Sequence, residues 1–127
     1  MALVIDLKPQ ERVIIGDALI TNDQNRTRLH IEGDAPILRE KDIMREEEAD
    51  SPCRKIYFMV QLMYLSHEPS KLHTLYFDQI HAVQSAAPST ATFFMKINEH
   101  IMNGYYYKAM KEAKLLIQHE QELMANV

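Results

Sequence analysis

Six histidines and one cysteine are the residues of this sequence best suited to metal binding or catalysis. The histidines are His30, His67, His73, His81, His100 and His119. A helical zinc site usually pairs two ligands four residues apart, and no two of these histidines have that spacing. The sequence also has no Cys-x-x-Cys pair. It therefore predicts no metal site and no cofactor.

Cys53 is the only thiol, so no intramolecular disulfide can form, which suits a reducing compartment. The neighbouring Arg54 and Lys55 could favour a reactive thiolate, but we prefer the interpretation of a small apolar residue on a buried helix face. The carboxylates from Glu46 to Asp50 lie in a polar run, without the burial that separates the pKa values of catalytic pairs. No nucleotide-binding or hydrolase motif occurs, so we predict that the protein is not an enzyme.

Seven cations in the first half of the chain could contact RNA, because arginine stacks on bases and forks onto phosphates. They are Arg12, Arg26, Arg28, Arg39, Lys41, Arg54 and Lys55. Residues 1–50 nevertheless hold seven Lys or Arg against twelve Asp or Glu, a net charge of −5, and residues 51–127 hold seven against six, a net of +1. RNA binding would thus need a local patch. From charge alone, surface arginines paired with nearby acids are the stronger interpretation.

Three consecutive tyrosines lie at the start of the last predicted helix, at Tyr105, Tyr106 and Tyr107. Successive helical residues fan around the axis, so the three rings cannot all face one side. We expect one ring in the core and one or two exposed. Exposed tyrosines mark protein interfaces or base-stacking surfaces, and we assign Tyr105 and Tyr107 to protein interaction. Tight packing at a helix start is an equally good explanation.

The first third of the chain has the pattern of short strands. Leu3, Ile5 and Leu7 alternate with other residues and predict a strand with one apolar face. Short strands separated by turns follow at Val13–Ile15, Ala18–Thr21 and Thr27–Ile31. This spacing predicts a small antiparallel meander or partial barrel. Its core would be thin, so the module should lean on the helices or on a second copy of itself.

The rest of the chain has the pattern of four helices. Ser51–Pro52 is a strong helix start, since serine caps free N–H groups and proline suits the first turn. Pro69 and Pro88 open further helices, and Asn103–Gly104 ends one before a fourth. No stretch approaches the ~20 apolar residues of a membrane helix, and no signal peptide is recognisable. We expect a cytoplasmic protein that does not bind membranes.

The predicted fold class is therefore α+β, with a small N-terminal antiparallel β meander or partial barrel followed by a C-terminal four-helix segment. We divide the chain into a β-rich module at 1–38, a charged junction at 39–50 and a helical bundle at 51–127. The junction has nine charged residues in twelve, interrupted by Ile43 and Met44. We expect these two residues to pin the β module onto the first helix.

Several blocks of the sequence resemble the FlbT family of flagellar biosynthesis regulators. The specific ones are LREKDIM at 38–44, and RKIYF with QLMYL at 54–65. The opening LKPQER at 7–12, which alone is a weak match, and the YYKA segment at 106–109 with Leu116 and Ile117 also agree with the family. The resemblance runs from end to end. Where the family pattern has an Asn–Gly turn, this chain has Ile15–Gly16–Asp17, which should change the turn type and leave the fold intact.

The resemblance implies regulation and not catalysis. It implies post-transcriptional control of flagellin through the 5′ untranslated region of its mRNA, either by repression with message decay or by activation. The family often acts with a FlaF-like regulator. The alternative is a protein-interaction module that binds flagellin or a FlaF-like partner and affects the mRNA indirectly. The resemblance supplies no RNA-contact residues, so the assignment of the seven cations as RNA contacts depends on their charge alone. A homo-oligomer is compatible with both functions.

Overall fold

A computed structural model describes residues 2–126, and within them the chain forms five strands and four α-helices. The strands are β1 Ala2–Leu7, β2 Arg12–Ile15, β3 Ala18–Thr21, β4 Thr27–Glu32 and β5 Ile37–Arg39. The helices are α1 Pro52–Leu65, α2 His73–Ala86, α3 Ala91–Met102 and α4 Tyr106–Ala125. Short 3₁₀ turns lie at Glu40–Asp42, Glu46–Glu48, Pro69–Leu72 and Pro88–Thr90. The predicted α+β class, with antiparallel strands before four helices, is confirmed.

The chain divides into two compact units, which are Met1–Ile43 and Met44–Val127. The boundary falls within the predicted junction 39–50. The finer division into 1–38, 39–50 and 51–127 stays a prediction.

The first unit contains two small antiparallel sheets. Strand β1 pairs with β4, and β2 lies between β3 and β5. Gly16 has φ +63° at the first position of the β2–β3 turn, which is the glycine position of a type II′ hairpin. The core is as thin as the sequence suggested, since the buried cluster consists of Ile5, Leu7 and Val13 with partly buried neighbours.

The second unit is built on α4, which packs against α1 and α3, while α1 also packs against α2. Ser51 caps α1 by accepting a hydrogen bond from the Arg54 amide (3.2 Å), and Pro52 follows in the first turn, as the sequence predicted. The core contains buried side chains of all four helices, including Ile56, Tyr76, Phe94 and Leu116. Leu75 on α2 is 59% exposed. No helix in residues 2–126 combines the length and apolar character needed to cross a membrane.

Gln61 fixes the start of the second unit. This buried α1 side chain forms two hydrogen bonds to the backbone of Met44: its Nε2 donates to the carbonyl oxygen (2.9 Å), and its Oε1 accepts from the amide (2.8 Å). Met44 thus obtains from a side chain the pair of bonds that a strand neighbour would supply. The bonds hold the Met44 backbone to α1 within the second unit, and the expected pinning of the β module by Ile43 and Met44 stays a prediction.

Candidate functional site

The cations of the first unit differ in how they are paired. Arg12 Nε lies 3.0 Å from Glu40 Oε1, and Arg28 Nε lies 3.1 Å from Asp6 Oδ1. Arg26, Arg39 and Lys41 are exposed and form no ion pair with any residue between 2 and 126. The pairing with nearby acids that charge alone favoured thus applies to two of the five candidate RNA contacts in this unit.

Arg26 and Arg28 lie at one shallow recess of about 470 Å³, which Asp6, Leu7 and Thr27 complete. Arg26 immediately precedes β4, and Arg28 is the second residue of that strand. The structure therefore brings these two arginines together, as their spacing suggested. This recess is the candidate anion site of the first unit.

Arg54 and Lys55 belong to the second unit, in the first turn of α1. Arg54 Nη1 lies 2.8 Å from Asp50 Oδ1, and Lys55 is exposed. Arg54 is therefore partly neutralised, whereas Lys55 remains accessible to a ligand.

The tyrosines occupy the start of α4, and none of the three side chains is fully buried. Tyr105 is 54% exposed, and Lys108 Nζ lies 4.9 Å from its ring centre. Tyr107 is half-buried, with its ring centre 5.8 Å from that of Tyr64 at an interplanar angle of 48°. The expectation of one core ring is therefore wrong, because Tyr106 also stays half-buried. Tyr105 is the best placed of the three to contact a partner.

The second unit has an apolar groove of about 630 Å³ that the sequence did not predict. Its walls come from the start of α1, the end of α2 and the end of α4, and include Ala82, Ala86, Pro88, Leu123 and Met124. Its lining residues lie up to about seventy positions apart in sequence, so no local pattern reveals it. Small side chains on one wall and long ones on the other give it the form of a hydrophobic binding groove.

Glu120 lies in this groove and links α4 to the start of α1. Its Oε1 accepts a hydrogen bond from Ser51 Oγ (2.5 Å), and its Oε2 accepts from the Cys53 amide (3.0 Å). The carboxylate thus satisfies a free N–H of the first helical turn, where negative charge is also favoured by the helix dipole. Its role is structural.

Cys53 is buried, as preferred from sequence, with 2% of its surface exposed. The pKa of its thiol is raised from 9.0 to about 12, mainly by burial and then by the negative charge and hydrogen bonding of Glu120. Arg54 and Lys55 do not offset these effects. The thiolate is therefore scarce at neutral pH, which excludes Cys53 as a nucleophile there.

We expect Cys53 of the folded protein to react with Ellman's reagent at least ~100-fold more slowly than an exposed thiol at mildly alkaline pH. The same thiol should react fully in denaturant. Because it ionises near 9.0 when unfolded and near 12 when folded, its contribution to stability should be lost as pH rises from 9 towards 12. Rapid labelling of the native protein would contradict this result.

Within residues 2–126, no group of three or more His, Cys, Asp or Glu side chains is arranged to hold a metal ion. Ser89 Oγ and His119 Nε2 lie 2.9 Å apart, and the His119 ring stacks on Phe93 with centres separated by 4.9 Å. The stacked imidazole ties the short turn before α3 to α4. This contact is structural.

The family model described as "Flagellar protein FlbT" matches residues 3–124, which is nearly the whole chain. The chain belongs to the FlbT family. The resemblance in sequence blocks is thereby confirmed. The Gln61–Met44 bonds join the last residue of LREKDIM to the first residue of QLMYL, so the two specific FlbT blocks of this chain are in direct contact.

Curated FlbT relatives cover the chain almost completely. A Bradyrhizobium diazoefficiens protein named "Probable flagellum biosynthesis repressor protein FlbT 1" is 44% identical over 124 residues, 97% of this chain and 85% of the relative. A Rhodopseudomonas palustris (strain TIE-1) FlbT protein is 43% identical over 125 residues, 98% of this chain and 99% of its own. The "Flagellum biosynthesis repressor protein FlbT" of Caulobacter vibrioides (strain ATCC 19089) is 32% identical over 130 residues, which is 100% of this chain and 92% of the relative. No solved structure matches the chain.

Proposed function

We propose that this protein is a repressor of flagellum biosynthesis that acts after transcription, in the cytoplasm, by binding the 5′ untranslated region of flagellin mRNA. The names of its relatives support a regulatory and not a catalytic role. RNA binding rests on one observation in this chain, the two arginines at the recess beside β4.

The recess is suited to a phosphate of single-stranded RNA. The ion pair between Arg28 and Asp6 is about two-thirds exposed on both sides, at 66% and 67%. Such exposed pairs contribute only ~0–1 kcal/mol, so a phosphate can replace the carboxylate at little cost. Arg26 brings a second guanidinium to the same recess. Two forked donors beside one strand can hold successive phosphates or stack on bases.

Five further cations are proposed RNA contacts. Arg39 and Lys41 add exposed positive charge in the first unit, and Arg12 is available where RNA displaces Glu40. Arg54 and Lys55 are proposed contacts of the second unit.

The test is a titration of the full chain with labelled flagellin leader RNA at two salt concentrations. We expect the double variant Arg26→Ala/Arg28→Ala to bind about tenfold more weakly. The slope of log affinity against log salt should fall by about 1.4, since each lost phosphate contact on a single strand contributes ~0.7. Fluorescence anisotropy measures both quantities.

The matched control is Lys71→Ala/Lys96→Ala, which removes two exposed positive charges of the second unit that are not among the proposed contacts. Its affinity should equal that of the wild type apart from a small effect of net charge. If both double variants lose affinity equally, binding depends on total charge and the recess is not the site.

A second candidate function is the binding of flagellin or a FlaF-like regulator, with indirect effects on the mRNA. The apolar groove of about 630 Å³ favours it, because amphipathic helices insert apolar side chains into such grooves. Exposed Tyr105, with the half-buried Tyr107 beside it, supplies a further contact surface. The same titration with purified flagellin separates the two functions. Binding of flagellin, with no affinity for the leader at either salt concentration, would favour this candidate.

A further inference from the structure

Strand β3 is an open sheet edge without the usual protection. It pairs only with β2, and its four residues Ala18–Thr21 are all exposed. Leu19 is 57% exposed and Ile20 37%. Within residues 2–126, every other strand contains at least one charged residue, and β3 contains none. Edge strands normally carry charges or prolines that prevent pairing, so β3 is ready to accept another strand.

The backbone groups that face this open edge can be assigned from the hydrogen bonds of the hairpin. The Asn22 amide donates to the Glu11 carbonyl across the β2–β3 pair (2.8 Å). Because alternate residues of a strand direct their N–H and C=O groups to opposite sides, residues 20 and 18 also bond to β2. Leu19 and Thr21 therefore present their donors and acceptors to the open edge.

We propose that β3 pairs with β3 of a second copy of this chain, antiparallel, about a twofold axis through Leu19. Leu19 then lies opposite the partner's Leu19, where both present free backbone groups. Ala18 lies opposite the partner's Ile20, and Asp17 opposite the partner's Thr21. The two three-stranded sheets become one continuous sheet of six strands.

Charge favours the register with the twofold axis through Leu19 over the register with the axis through Ile20. An axis through Ile20 would place Asp17 opposite the partner's Asp23, and like charges facing each other across strands are destabilising. With the axis through Leu19, Asp17 meets a hydroxyl side chain instead. The strand is thus compatible with itself in one register: it has no charge to repel its copy, and its apolar side chains cover each other. A second copy also supplements the thin core of the first unit.

The dimer is expected to be weak and dependent on concentration. Four residues on each side bury less than the ~1,000 Å² typical of stable interfaces. Sedimentation velocity of the full chain, from micromolar to near-millimolar concentration, should show a reversible monomer–dimer equilibrium. Leu19→Lys should raise the dissociation constant by at least ~10-fold, because two lysines would then face each other across the axis.

The matched control is Leu75→Lys, at an equally exposed leucine of α2 (59%). It should dimerise like the wild type. A chain that stays monomeric at every concentration overturns the proposal, and so does equal disruption by both lysine variants.

Cysteine cross-linking tests the register. In a Cys53→Ala background, Leu19→Cys should form an intermolecular disulfide under mild oxidation, because directly opposite Cα atoms are ~5.5 Å apart and disulfides span ~4.4–6.8 Å. Ile20→Cys should not cross-link, since its copy would be two residues out of line, about 8 Å away. Preferential cross-linking of Ile20→Cys would show another register and overturn the proposed one.

Discussion

Replacing Gln61 with leucine is expected to lower the free energy of unfolding of the helical unit by about 2–4 kcal/mol. Leucine fills most of the same space but makes no hydrogen bond. The amide and carbonyl of Met44 would both lose their partner, and each unsatisfied group costs ~1–3 kcal/mol where water cannot replace the bond. Urea denaturation followed by far-ultraviolet circular dichroism, which reports the helices, measures the loss.

The control for Gln61→Leu is the same substitution at Gln79, a half-buried α2 residue on the wall of the groove. We expect Gln79→Leu to change stability by no more than ~0.5 kcal/mol. If the two variants are equally stable, the Met44 backbone is solvated without Gln61 and the paired bonds contribute nothing.

This pair of bonds also shows which part of the fold the sequence could predict. The strands β1 to β4 follow from alternation and turn residues, and the helices from their proline and serine starts, because these signals are local. LREKDIM, by contrast, overlaps the run 39–50, in which nine of the twelve residues are charged. Its last residue, Met44, is held by Gln61, seventeen residues later, and no periodicity of the sequence reveals this contact.

The pairing of the strands could not be predicted from the sequence either, because it also joins residues that are far apart in the chain. Ile37–Arg39 is too short for an alternation signal, yet it forms β5 through its bonds to β2. The pairing of β1 with β4 joins residues that lie 20 to 30 positions apart in the sequence. Register is a property of two strands together, so a single strand's pattern does not determine it.

The sequence indicated which residue types could form the candidate site, but it did not indicate which of them form ion pairs. Arg26 and Arg28 could be recognised because their spacing is short. The ion pair of Arg12 with Glu40 spans 28 positions and depends on the fold. The apolar groove was missed entirely, since its walls come from separate helices. The arginine recess and the apolar groove nevertheless lie in different units, so variants can test these two sites separately.

Replacing Glu120 with alanine is expected to lower the free energy of unfolding by about 3 kcal/mol, because hydrogen bonds to charged groups contribute ~1.5–3 kcal/mol each. The carboxylate accepts from Ser51 and from the Cys53 amide. Alanine leaves that amide without a partner at the start of α1 and removes the negative charge from the positive end of the helix dipole.

Two further variants separate the contributions. Glu122→Ala removes an exposed α4 carboxylate two residues away, and should change stability by no more than ~0.5 kcal/mol. Glu120→Gln keeps an acceptor oxygen but loses the charge, so about half of the stability loss is expected from it.

The thiol of Cys53 supplies an independent readout of the same contact. Glu120 is the second cause of its raised pKa after burial, through both charge and hydrogen bonding. In Glu120→Gln the pKa of Cys53 should therefore fall, and the native protein should react faster with Ellman's reagent at alkaline pH than the wild type does. If Glu120→Ala is as stable as Glu122→Ala and the thiol reacts no faster in Glu120→Gln, the carboxylate does not hold α4 to α1. A stability loss accompanied by faster labelling locates the effect at the start of α1, because only there do the carboxylate, the capped amide and the thiol meet.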